Sequence, residues 1–275
     1  MSSQFIELSR GKIHAHCFGQ GKNLLIALHG YGDNGQVFSG LESALNDHFR
    51  VYAVDLPFHG TTAWRAPDYD ADDLEELVAA ILEREKQVYF KWLGYSYGGR
   101  LILSTLARFA GRADAAFLVA PDGLGTRGMR LPLLTPPALR RPLALWLEKS
   151  QWPLALARFL RQSRLLNAYS YYFLRHQLSS HRRRRRLSGT WRSLRHFPVR
   201  LPAIRRQLSN SKMKLYLLGG TADKLIHPDR VRAISNSLPG VEFHLIKGEH
   251  DQLIAPELGK WVVAKDGSSP VEPDD

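Results

Sequence analysis

Residues 91–100 read Lys-Trp-Leu-Gly-Tyr-Ser-Tyr-Gly-Gly-Arg, KWLGYSYGGR. A mostly apolar run from Val88 to Leu93 leads into Gly94-Tyr95-Ser96-Tyr97-Gly98. Leu101, Ile102, Thr105, Leu106 and Phe109 then recur at helical spacing. Strand, G-x-S-x-G and helix in that order make a nucleophile elbow. The glycines have a steric role, because a tight strand-to-helix turn brings backbones too close for Cβ atoms. Ser96 is thereby expected at a helix N-terminus, where N–H groups and the dipole favour a developing oxyanion. An ordinary Gly/Ser-rich turn would use the same residues, so the reading depends on partners elsewhere in the chain.

Around the elbow, strand-like and helical stretches alternate. Phe5–Leu8 and Lys12–Phe18 are predicted as short strands on either side of Arg10-Gly11. Asn23–Leu28 is continuously apolar, as a strand buried on both faces would be. It ends in His29-Gly30-Tyr31-Gly32-Asp33-Asn34-Gly35, and Gln36–Leu45 then has helical spacing. Val51–Asp55 is the next strand, an amphipathic helix is predicted over Ala71–Lys86, and Ala115–Ala120 is a further strand. The alternation stops at Pro121. It resumes at Met213–Leu218, Val231–Leu238, Val241–Ile246 and Gln252–Val262. Such alternation predicts an α/β protein with a mostly parallel, doubly wound sheet covered on both faces.

A serine hydroxyl becomes a good nucleophile only beside a base, and the base needs an anionic orienter. Gly219-Gly220-Thr221-Ala222-Asp223 directly follows the Met213–Leu218 strand, and Gly248-Glu249-His250-Asp251 directly follows Val241–Ile246. In a parallel sheet both loops leave the same edge as the elbow, so Ser96, Asp223 and His250 can converge. In this order and context the chain resembles the α/β-hydrolase superfamily, in its capped esterase, lipase and C–C hydrolase branch. The resemblance covers nearly the whole chain outside the middle. It implies Ser96 as nucleophile, His250 as base and Asp223 as acid. It further implies an oxyanion hole from the N–H groups of Tyr31, after His29-Gly30, and Tyr97, after the serine. Asp55-Leu-Pro-Phe-His-Gly60 resembles the family's D-x-P-G-x-G turn, with Phe58 in place of glycine. Asp122 also follows a strand where some members carry their acid, and Asp223 is preferred because it matches the commoner G-x-x-D pattern. His29 and His59 fall at positions that are structural or pocket-lining in the family. Serine at position 96 argues against the aspartate-nucleophile branches, the epoxide hydrolases and dehalogenases. No metal or organic cofactor is implied. Carboxylic ester hydrolysis, with an apolar acyl chain, leads the expected activities. A C–C bond hydrolase or lyase on an anionic keto-acid, a perhydrolase with the same triad, and a non-catalytic ligand-binding member of the fold are the alternatives.

The 275 residues carry a formal net charge of +12. Lys and Arg number 11 against 14 Asp and Glu in residues 1–120, 19 against 2 in 121–210, and 8 against 10 in 211–275. A break this sharp marks residues 121–210 as an insertion. It falls where the family places its cap, so the expected division is a core of 1–120 and 211–264, a basic helical cap of 121–210, and a disordered tail of 265–275. Helices are predicted over Leu139–Leu147, Pro153–Leu166, Ala168–Leu178 and Pro202–Leu208. The run His181 to Arg186 contains five arginines, Arg182–Arg186. It reads as a solvated face or loop, as a surface for anionic lipid, or as a means of steering an anionic substrate. Nucleic acid ranks low because no nucleic-acid motif accompanies the charge. The single Cys17 excludes an internal disulfide framework and fits a reducing compartment. The start of the sequence lacks a signal-peptide pattern, and no long apolar span is present. The expected location is cytoplasmic, with peripheral contact at the inner membrane surface.

Overall fold

The computed structural model describes residues 1–124, 136–150 and 152–267. Residues 125–135, residue 151, the outer part of the predicted tail (268–275) and the side chains of Pro137, Ala138, Arg140, Arg141, Tyr169, Ser170 and Phe173 lie outside that description. The described residues form two compact units. One comprises Met1–Trp64, Ala71–Arg127 and Phe197–Asp275, the other Arg65–Asp70 and Gly128–His196.

The first unit is built on a nine-stranded sheet: β1 (Ser2–Leu8), β2 (Gly11–Phe18), β3 (Asn23–Leu28), β4 (Phe49–Val54), β5 (Ala63–Trp64), β6 (Phe90–Tyr95), β7 (Ala113–Val119), β8 (Lys214–Gly220) and β9 (Val241–Ile246). Their order across the sheet is β1-β2-β4-β3-β6-β7-β8-β9, with the two-residue β5 pairing on β2. The β1–β2 hairpin is antiparallel, and β2 meets β4 antiparallel. From β4 onward every neighbouring pair is parallel. This explains the composition of the central strands. Leu24–Leu28, Leu93 and Phe117–Val119 are buried because parallel strands are covered on both faces.

The chain passes from β3 to β4 on one side and then crosses to β6 on the other. Loops leaving β3 and β6 therefore diverge, which opens a crevice at the carboxyl ends of those two strands. His29-Gly30-Tyr31 and Ser96 lie at these two ends. The parallel β8 and β9 end on the same edge, at Gly220 and Ile246.

Covering the sheet are α1 (Glu42–Leu45), α2 (Ala71–Glu85) and α3 (Tyr97–Thr105) early in the chain. The predicted helix over Gln36–Leu45 instead divides into a 3-10 segment, Gly35–Leu41, and the single turn of α1. Asn34 caps it by accepting from the Gln36 N–H at 2.9 Å. Gly35 lies so close to β4 that a Cβ would sit 2.2 Å from the Ala53 carbonyl oxygen, which holds the segment tight against the strand.

The second unit contains four helices among its described residues: α4 (Pro137–Lys149), α5 (Trp152–Gln162), α6 (Ala168–Leu178) and α7 (His181–Ser193). The arginine run is helical and lies in α7, with Ser180 as N-cap accepting from the Arg183 N–H. Glu148 organises it. Its carboxylate accepts from Ser188 Oγ at 2.8 Å, and its main-chain oxygen accepts from Arg184 Nε at 3.0 Å. Arg184 also bonds the Leu178 carbonyl and Arg186 bonds Gln177 Oε1, so part of the run is spent on internal carbonyls.

The unit's edges differ from the expected 121–210. Residues 65–70 join it, because Asp68 pairs with Arg195 at 2.9 Å, the Pro67 oxygen accepts from Arg192, and the Tyr69 N–H bonds Ser193 Oγ. Residues 197–210 belong to the first unit instead. Phe197 is buried there, and α8 (Leu201–Ser209) buries Ile204 and Leu208.

The remaining helices are α9 (Pro228–Asn236) and α10 (Pro256–Asp266). Lys265 and Asp266, placed in the tail by sequence, continue α10. Asp266 pairs with Lys91 at 2.8 Å, and Gly267 ends the helix in the left-handed conformation. Among the described residues no helix is long and apolar enough to cross a membrane.

Gly98 is among the tightest points of this packing. A Cβ there would lie 2.0 Å from the Leu28 carbonyl oxygen and 2.5 Å from its carbonyl carbon, main-chain atoms that cannot swing away. Gly98→Ala is expected to cost about 3 kcal/mol, read as a lower midpoint in urea with an unchanged slope.

Candidate active site

Ser96 sits between β6 and α3 with φ 48° and ψ −108°, a conformation rare for any residue with a Cβ. The surroundings over-determine it. The Ser96 N–H bonds the Val119 oxygen at 2.9 Å, and the Ser96 oxygen accepts from the N–H groups of Asp122 and Arg100. The Gly98 N–H bonds the His29 oxygen at 3.0 Å, which pins the first turn of α3 to the end of β3. The side chain is thereby lifted away from the strand.

His250 begins a 3-10 turn, His250–Gln252, after β9. Its Nε2 lies 3.1 Å from Ser96 Oγ, and its Nδ1 lies 2.6 Å from Asp223 Oδ2. A carboxylate only accepts, so Nδ1 carries the proton and Nε2 faces the serine as an acceptor. The other Asp223 oxygen accepts from the N–H groups of Leu225 and Ile226, both at 2.8 Å. Burial pushes the Asp223 carboxyl upward. The His250 hydrogen bond and the Ile226 and Leu225 N–H groups outweigh it and hold the group below the usual carboxylate range. The arrangement can draw a proton from Ser96 Oγ onto His250 and face the resulting imidazolium with a charged carboxylate.

Tyr97 is buried as the first residue of α3, and Tyr31 follows the His29-Gly30 end of β3. These are the two segments at which oxyanion donors are expected. Asp122 is drawn elsewhere: its carboxylate pairs with Arg100 Nε at 2.7 Å, both side chains buried. His29 is fully buried, with Nδ1 donating to the Gly30 oxygen and Nε2 accepting from the Leu56 N–H. That makes it a brace between the β3 and β4 loops. His59 is also buried, with Nδ1 bonded to the Pro57 oxygen. Phe58, at the family's usual glycine position, does adopt positive φ, 69°.

Two groupings carry no signal in the sequence. Tyr95, beside the serine, donates from Oη to the main-chain oxygen of His250 at 2.7 Å. His14, His16 and Asp55 bring one nitrogen or oxygen each to within 4.8 Å of one another, a set that suits a metal ion by residue type. Here Asp55 accepts from the Gly35 and Thr61 N–H groups at 2.7 Å and from His14 Nδ1 at 2.8 Å. The carboxylate thus fastens the loops after β3 and β4 to β2.

The chain belongs to the alpha/beta hydrolase fold family, whose pattern matches residues 23–255. It is similar to the pimeloyl-acyl-carrier-protein methyl ester esterase of Vibrio cholerae, 43% identical over 81 residues, which are 30% of this chain and 29% of that protein. The enzyme of the same name from Cronobacter sakazakii is 31% identical over 121 residues, 44% of this chain and 45% of the relative. The matched segments therefore span less than half of these relatives. A hydrolase from Pseudomonas aeruginosa superposes with a TM-score of 0.68 at 20% identity, over 97% of this chain and 98% of that one, a likeness of fold.

Asp55 gives the region a pH signature. Burial raises its carboxyl, but the Thr61 and Gly35 N–H groups and the His14 bond together hold it below the ordinary value. A depressed folded-state pKa contributes stability that is present above the unfolded value, about 3.9. That stability is lost as pH falls through the folded value. Asp55→Asn is expected to cost about 2–4 kcal/mol at pH 7, and melting curves across pH should show the gap to wild type closing below about pH 4.

Proposed function

We propose that this protein is a serine hydrolase of carboxylic esters with an apolar acyl group. The observation that carries the reading is the unbroken hydrogen-bond path from Ser96 Oγ through His250 to the buried Asp223. Ser96 Oγ attacks the ester carbonyl carbon while Nε2 of His250 takes its proton. The tetrahedral oxyanion is held by the N–H groups of Tyr31 and Tyr97. The C–O bond to the leaving alcohol then breaks as Nε2–H returns the proton to that oxygen. Water, deprotonated by His250, releases the acid from the acyl-enzyme. Asp223 keeps the imidazole in the tautomer that accepts from serine. The curated relatives are named for a methyl ester of an acyl group on a carrier protein, which supports an alkyl ester as the natural class.

A panel of p-nitrophenyl esters from short to long acyl chains, run on wild type and Ser96→Ala, tests this. Turnover should fall by about a thousandfold or more in the variant, and the chain-length profile sizes the acyl site. Ser96 labelled by a fluorophosphonate without turnover of any ester would favour C–C substrates. Neither labelling nor turnover would favour a binding protein.

The basic second unit supports a further proposal, peripheral contact with an anionic bilayer. Trp152, Leu156 and Phe159 stand at i, i+4 and i+7 on α5 and are 73%, 48% and 61% exposed. Arg158, Arg161 and Arg164 beside them are exposed too, and no acidic residue lies between Glu148 and Asp223. An apolar stripe flanked by arginines suits the interface of an anionic membrane, with each basic residue near the surface contributing about 1 kcal/mol. Vesicles containing phosphatidylserine should co-sediment the protein, and Trp152→Ala with Phe159→Ala should abolish this while sparing turnover of a soluble ester. Binding that is indifferent to anionic lipid, or binding to an acidic carrier protein alone, would overturn the bilayer.

A further inference from the structure

We propose that Tyr95 is a positioning residue for the base, its hydroxyl tying the His250 turn to the strand end that carries Ser96. The inference rests on the serine-hydrolase reading and extends it to a residue outside the triad. Tyr95 and Ser96 are consecutive, so one short piece of backbone carries both the nucleophile and the group that grips the base from behind. The phenol reaches the main-chain oxygen of His250 at 2.7 Å, and the two rings lie 5.3 Å apart at a 35° tilt. The same ring fills the space beside Gly30, where a Cβ would fall 3.0 Å from Tyr95 Cε1. One buried side chain therefore touches the β3 loop, the elbow and the base.

The turn needs that tie. Among the described residues, and apart from the His250–Ser96 bond itself, its other hydrogen bonds run within it or to the Asp223 loop. The Glu249 N–H bonds Gln252 Oε1, the Gln252 N–H bonds the Glu249 oxygen, the Gly248 N–H bonds Thr221 Oγ1 and the Ala222 N–H bonds the Gly248 oxygen. These hold His250 relative to Asp223 and leave its distance to Ser96 open. The Ser96–His250 hydrogen bond spans that gap only until the proton moves, and it is broken in the acyl-enzyme. The Tyr95 bond involves neither reacting atom and persists through the cycle. Burial, with the charges of Asp33, Asp223 and Asp251, pushes the phenol far above its ordinary pKa, so it stays a donor at every working pH.

A base held at the correct distance matters most where it must also act as an acid. A p-nitrophenolate leaves without a proton, whereas an alkoxide needs one from Nε2–H in the transition state. Loss of the Tyr95 hydroxyl should therefore separate two esters of the same acyl group. Tyr95→Phe keeps the ring against Gly30 and removes only the donor. Rates are expressed per site labelled by a fluorophosphonate, and melting temperature is followed alongside.

The expected result is a kcat about tenfold lower on ethyl butyrate and about twofold to threefold lower on p-nitrophenyl butyrate, with KM unchanged. Equal losses on the two esters, or none, would overturn the role. Should the wild type hydrolyse neither ester, slower fluorophosphonate labelling of Ser96 in Tyr95→Phe supports the role and an unchanged labelling rate overturns it. Ester turnover that survives Ser96→Ala sinks the serine reading itself, and this inference with it. A dead Ser96→Ala with an indifferent Tyr95→Phe sinks this inference alone.

Discussion

The conformation of Ser96 is the constraint on which the first unit depends. A residue with a Cβ at φ 48° and ψ −108° carries strain on the order of 1–3 kcal/mol. The strain persists because the elbow is clamped from three sides. A Cβ on Gly94 would strike Ile102 and the Gly99 backbone, one on Gly98 the Leu28 oxygen, and one on Gly99 the Pro121 ring. α3 can therefore pack directly onto the ends of β3 and β7. That close approach points Ser96 Oγ out of the sheet and into the crevice where strand order reverses. Without it, loops carrying Asp223 and His250 would still leave the same sheet edge, but no hydroxyl would face Nε2 of His250.

Charge is arranged by the same economy in the second unit. A stretch with so few acids cannot close on itself without counter-charges, and Glu148 and Asp68 serve as such. Glu148 gathers Ser188, Arg184 and Arg192 from α7, and Asp68 arrives from the segment before α2 to meet Arg195 and His196. Segment 65–70 thus joins the basic helices although it is far from them in sequence. Arginines at the start of α7 oppose the helix dipole. The Ser180 cap and the carbonyls taken up by Arg184 offset part of that cost.

Elements carried by burial were legible in the sequence. β3 and β9 were predicted over their observed spans, and α2 to within a residue, because continuous or periodic apolar residues record which faces are covered. The three loops bearing Ser96, Asp223 and His250 were legible for a topological reason, each following a parallel strand. What escaped depended on long-range partners. The helical spacing of 36–45 could not reveal how closely Gly35 meets β4. Arg205, bonding the Ser237 oxygen at 2.6 Å, shows why the basic residues after 196 go with the core and not with their compositional neighbours. A tyrosine before the serine has no pattern that tells where its hydroxyl ends. His14 and His16 read as ordinary strand residues until β4 delivers Asp55 beside them.

The two aspartates that follow parallel strands near Ser96 differ in partner geometry, and that difference supports Asp223 in the proposed acid role. Asp122 and Asp223 are both buried, both follow parallel strands, and both lie in the region of Ser96. Asp122 receives a guanidinium from α3, the helix that begins at the elbow, so its charge is neutralised and fixed as part of the elbow's support. Among the described residues no guanidinium or ammonium group pairs with Asp223. One oxygen is held by two backbone N–H groups, which orient the carboxylate without neutralising it, and the other is left directed at Nδ1 of His250. Backbone donors supply partial charge at fixed positions, so the carboxylate remains ionised and immobile at once. In the proposed mechanism that combination stabilises an imidazolium at His250, and Arg100 would prevent Asp122 from doing the same.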